Sequence, residues 1–170
     1  MSESNRLLEP QRAAPPYREP FALPPHWYHD VLVYEAEAIA VYRNNWLCAG
    51  HQSELSNVGD FVRLDFCDES ILVVRGRDNV LRAFYNVCQH RGHILVNERR
   101  GNLSDVIRCP YHSWGYELNG SLKHVPNLRN APNFPVQDIC LPAVTVSEYG
   151  SFVWVNLNPE ASPIAKELSG

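Results

Sequence analysis

Asn86-Val87-Cys88-Gln89-His90-Arg91-Gly92 and Cys109-Pro110-Tyr111-His112 are the two segments that decide how this chain reads. Each offers one thiol and one imidazole in a short, turn-prone frame. Side chains two apart on an extended segment share a side, so Cys88 and His90 can aim at one point. Cys109 and His112 are three apart, and Pro110 between them favours a bend over a straight strand. Two such loops can grip one object from opposite sides. Thiolate together with imidazole suits zinc or iron, whereas carboxylate-rich donor sets suit magnesium or calcium.

The order of donors narrows that choice. Zinc sites tend to group a Cys pair and then a His pair, or four Cys. Here the order is Cys, His, Cys, His. A [2Fe–2S] cluster with both Cys on one iron and both His on the other takes one donor of each kind from each loop. The run Cys88-Gln89-His90-Arg91-Gly92-His93-Ile94-Leu95, then Gly101-Asn102, then Cys109-Pro110-Tyr111-His112-Ser113-Trp114-Gly115-Tyr116-Glu117-Leu118-Asn119-Gly120, resembles the Rieske segment of ring-hydroxylating-type non-haem iron oxygenase large subunits.

That resemblance implies one [2Fe–2S] Rieske cluster held by Cys88, His90, Cys109 and His112. Arg91 and Gly92 would shape the first loop, Arg91 through a fixed hydrogen bond or ion pair and Gly92 through close backbone approach. Tyr111 and Trp114 would shield the cluster, and Ser113 stands where the family more often has Gly. Residues 91–108 separate the two pairs, an interval at or just above the upper end of the family's usual range. The extra length costs little, because loop-closure entropy grows only logarithmically. Relatives in respiratory and photosynthetic complexes brace the site with a disulfide, whose positions fall here at His93 and Tyr111. Neither is Cys, so the unbraced oxygenase class is favoured, with a potential toward the low end of the roughly −150 to +300 mV Rieske range.

At 170 residues with 45% hydrophobic content, the chain can bury roughly two-thirds of its unfolded surface without disulfides. Nineteen acids against fifteen bases, with no basic cluster, give nucleic-acid binding no electrostatic support. Apolar runs such as Ile71-Leu72-Val73-Val74 fall far short of the roughly 20 residues of a membrane helix. The start, Met1-Ser2-Glu3-Ser4-Asn5, lacks an export pattern, so the default reading is a soluble cytoplasmic protein that binds neither nucleic acid nor membrane. Cys48, Cys67 and Cys140, an odd remainder amid apolar neighbours, read as reduced core thiols.

In chain order, residues 1–25 hold six prolines and read as an extended arm. Leu32, Ala36, Ile39 and Tyr42 recur at helical intervals and predict one amphipathic helix over about 31–43. Trp46 to His51 reads as a first strand. Val62, Leu64 and Phe66 alternate with polar residues in a second, Ser70 to Arg75 makes a third, and Val80 to Val87 a fourth that delivers Cys88. Val106 to Arg108 delivers Cys109. Trp114 to Leu118 and Ser121 to Val125 flank Asn119-Gly120, a two-residue hairpin signal. Val144 to Val146, a turn at Glu148-Tyr149-Gly150 and a strand from Ser151 to Leu157 complete the pattern. The expected fold is mostly β, a Rieske-type antiparallel β-sandwich over residues 26–158. It carries one N-terminal helix and a small cluster-binding subdomain of two hairpin loops over about 86–125.

Residues 22–55 also resemble the lead-in of oxygenase large subunits, which small Rieske ferredoxins usually lack. In that family the domain relays electrons from a reductase or ferredoxin to a mononuclear non-haem Fe(II). The Fe(II) lies in a C-terminal catalytic domain of the same or a neighbouring subunit, within a homotrimer. No His follows Leu157, so that iron site is expected outside these residues, and 159–170 reads as the start of a connection to it. The rival readings are a free-standing Rieske ferredoxin and a zinc-stabilised interaction module. No nucleophile-and-base set appears, and none of the five remaining His has a partner at metal-ligand spacing.

Overall fold

The computed structural model describes residues 22–128 and 133–169, so most of the Pro-rich arm lies outside the described residues. Ten strands alternate with short helical turns: β1 (Leu47–His51), β2 (Asp60–Phe66), β3 (Glu69–Arg75), β4 (Leu81–Tyr85), β5 (Arg100–Asn102), β6 (Val106–Arg108), β7 (Gly115–Glu117), β8 (Leu122–His124), β9 (Ala143–Tyr149) and β10 (Phe152–Asn156). The fold is mostly β, as expected. Seven strands form a curled antiparallel sheet in the order β1-β10-β9-β4-β3-β2-β5, and β6-β7-β8 form a second, three-stranded sheet.

β3 sits inside the large sheet and explains its own apolar run. Ile71 and Val73 point into one core with Val62, Leu81, Ala83, Val153 and Val155. Leu72 and Val74 point the other way, into a second core with Phe61, Phe84, Ile107, Tyr116 and Leu118. A strand buried on both faces reads as continuous hydrophobicity instead of alternation. This second core glues the small sheet onto the large one and includes Cys88 and Cys109.

Hairpin chemistry departs from expectation at two turns. Asn119-Gly120 is not a two-residue turn: Gly120 N–H bonds Glu117 C=O at 2.9 Å, Glu117 N–H bonds Ser121 C=O at 2.8 Å, and only Gly120 has positive φ, +90°. This is a three-residue loop with Gly in the left-handed position. A Cβ there would lie 2.5 Å from Phe84 Cε1, so Gly is also required for packing. The β9–β10 turn is centred on Gly150 and Ser151, one residue later than expected, both at positive φ as a tight two-residue turn needs.

Three further expectations are corrected. The helix runs as α1 (Val31–Glu37) and continues as a π-helical turn over Ala38–Tyr42, but its buried side is Val33 and Ala38. Leu32, Ile39 and Tyr42, expected to face the core, are exposed. The thiols outside the loops are not core residues: Cys48 and Cys140 are exposed and Cys67 half-buried, although all are free as expected. The strand leading to Cys88 ends at Tyr85, because the buried Asn86 side chain takes over strand pairing (below). β5 and a last helix, α2 (Ile164–Leu168), carry no sequence periodicity that would have found them. Ile164 is buried, and Trp46 Nε1 donates to Ser162 C=O at 2.9 Å, so residues after Pro159 lie against the domain. Among the described residues no helix is long and apolar enough to cross a membrane.

Candidate metal centre

The two loops are built on one frame. In the first, Cys88 C=O accepts Gly92 N–H at 2.9 Å and Cys88 N–H donates to His93 C=O at 2.9 Å. In the second, Cys109 C=O accepts Ser113 N–H at 3.0 Å and Cys109 N–H donates to Trp114 C=O at 2.8 Å. Gly92 (φ +66°) and Ser113 (φ +59°) occupy the same left-handed position of the two turns. Each loop therefore presents a buried thiol at its base and an imidazole nearer its tip.

The base of the first finger is closed by Asn86. Its Nδ2 donates to Val96 C=O at 2.7 Å and to Ser70 Oγ at 3.2 Å, and its Oδ1 accepts Val96 N–H at 3.0 Å. The side chain imitates a strand neighbour, extending the Val87–Ile94 bridge one step further. The second finger is held by the pairing of β6 with β7.

The four donors meet as two pairs. Cys88 and Cys109 are both buried and adjacent. Burial pushes the Cys109 thiol up; the Tyr111 and His112 N–H groups pull it back, and the neighbouring Cys88 adds to the rise. Tyr116 Oη lies 3.4 Å from Cys88 Sγ and accepts Gln89 N–H at 3.0 Å, which leaves its proton free for the sulfur. Burial, then the Cys88 contact, raise the phenol well above its ordinary range and keep it protonated.

The rings of His90 and His112 lie 4.8 Å apart. Trp114 stacks under His90 at 4.7 Å and 9°, and Tyr111 leans on His112 at 3.7 Å. His112 Nδ1 is buried with no hydrogen-bond partner. Burial, then the nearby His90, Arg91 and His93, lower the proton affinity of that ring and hold it neutral, the form that binds metal. An orphaned nitrogen in a buried place calls for a ligand from outside the chain.

No group of three or more His, Cys, Asp or Glu among the described residues could hold a single metal ion. A tetrahedral zinc site needs four donors about one point. A soft pair beside an imidazole pair, with an empty-handed Nδ1, fits a binuclear centre with sulfur on one metal and nitrogen on the other.

Of the surrounding residues, Trp114 packs edge-on to Phe134 at 5.7 Å. Arg91 is exposed and makes no hydrogen bond or ion pair among the described residues, against expectation. Its charge adds to the lowering of the His112 ring's proton affinity, after burial and His90. Gly92 is needed for its φ, since a Cβ would meet nothing of the chain within 4 Å. Ser113 is exposed and its hydroxyl bonds no described residue. Asn86 and Tyr116 were missed in the sequence. The signal for Tyr116 was present: a Tyr flanked at two-residue spacing by Trp114 and Leu118 sits on a buried strand face, where its hydroxyl needs a partner.

Residues 45–135 match the Rieske [2Fe-2S] domain family. The chain is 42% identical over 153 residues to the carnitine monooxygenase oxygenase subunit of Escherichia coli (strain K12), a match that covers 90% of this chain and 41% of that protein. It is 33% identical over 143 residues to the glycine betaine monooxygenase oxygenase subunit of Pseudomonas aeruginosa (strain UCBPP-PA14), covering 83% and 33%. The crystal structure of the quaternary ammonium Rieske monooxygenase CntA with L-carnitine superposes with a TM-score of 0.78 at 38% identity, covering 85% of this chain and 41% of that one. A naphthalene 1,2-dioxygenase structure gives a TM-score of 0.77 at 30% identity, covering 83% and 32%. The chain thus spans about two-fifths of the length of the carnitine relatives. With the paired Cys and His fingers inside the matched residues, the chain belongs to the Rieske [2Fe-2S] domain family and is homologous to the oxygenase subunits of Rieske oxygenases.

Proposed function

We propose that Cys88 and Cys109 hold one iron and His90 and His112 the other iron of a single [2Fe–2S] cluster. The domain then passes electrons one at a time within an oxygenase. The observation that carries this reading is the sorting of the four donors into a thiol pair and an imidazole pair on two equivalent fingers. When bound, the cluster supplies a one-electron carrier. The chain's own residues set its surroundings: Tyr116 donates to Cys88 Sγ, Trp114 covers the His90 ring, and the second core excludes water from the sulfur side. The exposed His90 edge provides the outlet.

The electron donor is a reductase or ferredoxin. Arg91, Arg99 and Arg108 carry no ion pair among the described residues, and all three belong to the finger region, which favours a donor with an acidic face. The acceptor is a mononuclear non-haem Fe(II) in the catalytic portion of an oxygenase subunit, the same or a neighbouring one of a homotrimer. Its substrate class, by the names of the carnitine and glycine betaine relatives, is a trimethylammonium compound. Cys48, Cys67 and Cys140, outside the fingers and free of disulfides, suit a reducing cytoplasm. Residues 26–158 act as the electron-transfer domain, with 159–170 leading onward.

Metal analysis tests the proposal. Protein produced under iron-replete, reducing conditions should carry about two irons and two acid-labile sulfides per chain and give a rhombic EPR signal on one-electron reduction. Cys88→Ser or His112→Ala should abolish the signal. Stoichiometric zinc without sulfide would overturn it.

A further inference from the structure

At the end of the large sheet away from the fingers lies a polar cleft of about 450 Å³. β3 ends there at Arg75, opposite Leu81 at the start of β4, whereas the first finger leaves the other end of β4, beyond Tyr85. Eight residues line the cleft and none is apolar. Its size is that of a small-molecule site, but such sites are mostly apolar. A lining of this kind suits a ligand that is charged or hydrogen-bonding over most of its length.

Much of the lining's hydrogen-bonding capacity is uncommitted. Gln52, Asn79 and Ser151 bond described residues through backbone atoms alone, which leaves two amides and a hydroxyl to the cleft. Ser151 keeps its side chain at φ +68°, a conformation that favours Gly. The buried Arg75 spends three of its five N–H groups, on Leu55 C=O at 2.7 Å, Asn79 C=O at 3.0 Å and Glu148 Oε1 at 2.8 Å. Two of its N–H groups remain, and so does Glu148 Oε2.

Arg75 and Glu148 are the charged residues of the lining. A lone anion in the cleft would face Glu148, and a lone cation would face Arg75. A molecule carrying both charges meets each with its opposite. The rim selects the kind of cation. Glu148 and Ser151 adjoin Tyr149 and Phe152, whose side chains are 38% and 43% exposed. His51 of the lining meets the Phe152 ring edge-on at 5.4 Å, and Trp154 lies 6.4 Å from the same ring. A quaternary ammonium has no N–H to donate and is recognised by aromatic faces. We infer that this cleft binds a small trimethylammonium carboxylate, with the carboxylate on Arg75, Gln52 and Asn79 and the cation between Glu148 and the Phe152 ring. The ligand belongs to the class proposed above as the substrate, but the site depends on its lining and not on the electron-relay reading.

An amide NMR titration of the 170-residue chain with L-carnitine reads the cleft directly, because it lies at the opposite end of the sheet from the fingers. The amides of Gln52, Asn79 and Ser151 should shift saturably. At one hundred times the dissociation constant the unfolding midpoint should rise by roughly 5–10 °C. Acetate and tetramethylammonium, each offering one half of the ligand, should bind at least roughly tenfold more weakly, as should γ-aminobutyrate, which lacks the methyl groups. Glu148→Gln and Phe152→Ala should each weaken L-carnitine roughly tenfold. Phe152 is exposed, so its variant should keep the circular dichroism of the parent even if Glu148→Gln fails to fold. Absence of saturable shifts overturns the inference, and so do shifts that saturate only away from the cleft. Equal affinity for acetate or for γ-aminobutyrate overturns it as well, as does full affinity in the Phe152→Ala variant. The electron-relay reading stands or falls separately, on the EPR signal of the reduced chain, which L-carnitine binding should leave unchanged.

Discussion

Ser113 and Gly92 fill the same left-handed turn position, yet only one is Gly. A side chain at φ near +60° costs about 1 kcal/mol, partly offset by the unfolded-state entropy of Gly. Ser113→Gly should therefore stabilise the fold by roughly 0.5–1 kcal/mol, and Gly92→Ser should weaken it by a similar amount without a clash, as urea titrations would report. Tyr116 is the residue whose chemistry reaches the site most directly. Its hydroxyl donates to a sulfur that gains negative charge on reduction, so the bond favours the reduced state. Tyr116→Phe should lower the midpoint potential by about 40 mV, the equivalent of about 1 kcal/mol for one electron. An unchanged potential would assign Tyr116 to packing alone.

Among the elements, the first finger depends on a side chain acting as a strand. Asn86→Ala leaves the buried Val96 N–H unpaired and its C=O with only the 3.5 Å bond from Arg63 Nη1, and should cost roughly 2–4 kcal/mol. It should also speed iron loss to a chelator, while the second finger, held by backbone pairing, keeps its shape. The large sheet carries its own pH limit. Asp60 at the start of β2 accepts from Asn102 Nδ2 at 2.8 Å, and also from Asn57, so its carboxyl titrates below the ordinary carboxylate range. Asp78, bonded by Arg82 in the β3–β4 turn, is lowered further. A carboxylate depressed in the folded state stabilises above its unfolded pKa, about 4, and loses that contribution as pH falls through the folded value. Stability should be flat from pH 7 to about 5 and decline below about 4. In Asp60→Asn the decline should be shallower, which acid-unfolding curves can measure.

For the whole molecule, two cores joined through a doubly buried β3 bring the fingers onto the sheet as one body. His26, His29, His51, His93 and His124 form no metal-binding group among the described residues. The 170 residues alone should accept one electron per chain and yield no hydroxylated trimethylammonium product with oxygen and reductant; turnover would refute this. The candidate donors, their two-finger order and most strands were legible in the sequence, because thiol and imidazole side chains are chemically rare and a half-buried strand prints a two-residue period. What stayed hidden depends on contacts between distant segments. β5 consists of exposed residues that pair with β2, and Asn86 acts through residues 95–96. The helix shows why periodicity has limits: apolar spacing predicted a face, and packing decided which face is buried. Sequence determined which atoms can bind metal, since that is a property of side chains. Only the tertiary structure sorted them into a sulfur pair and a nitrogen pair, since that depends on two backbone frames meeting across a shared core.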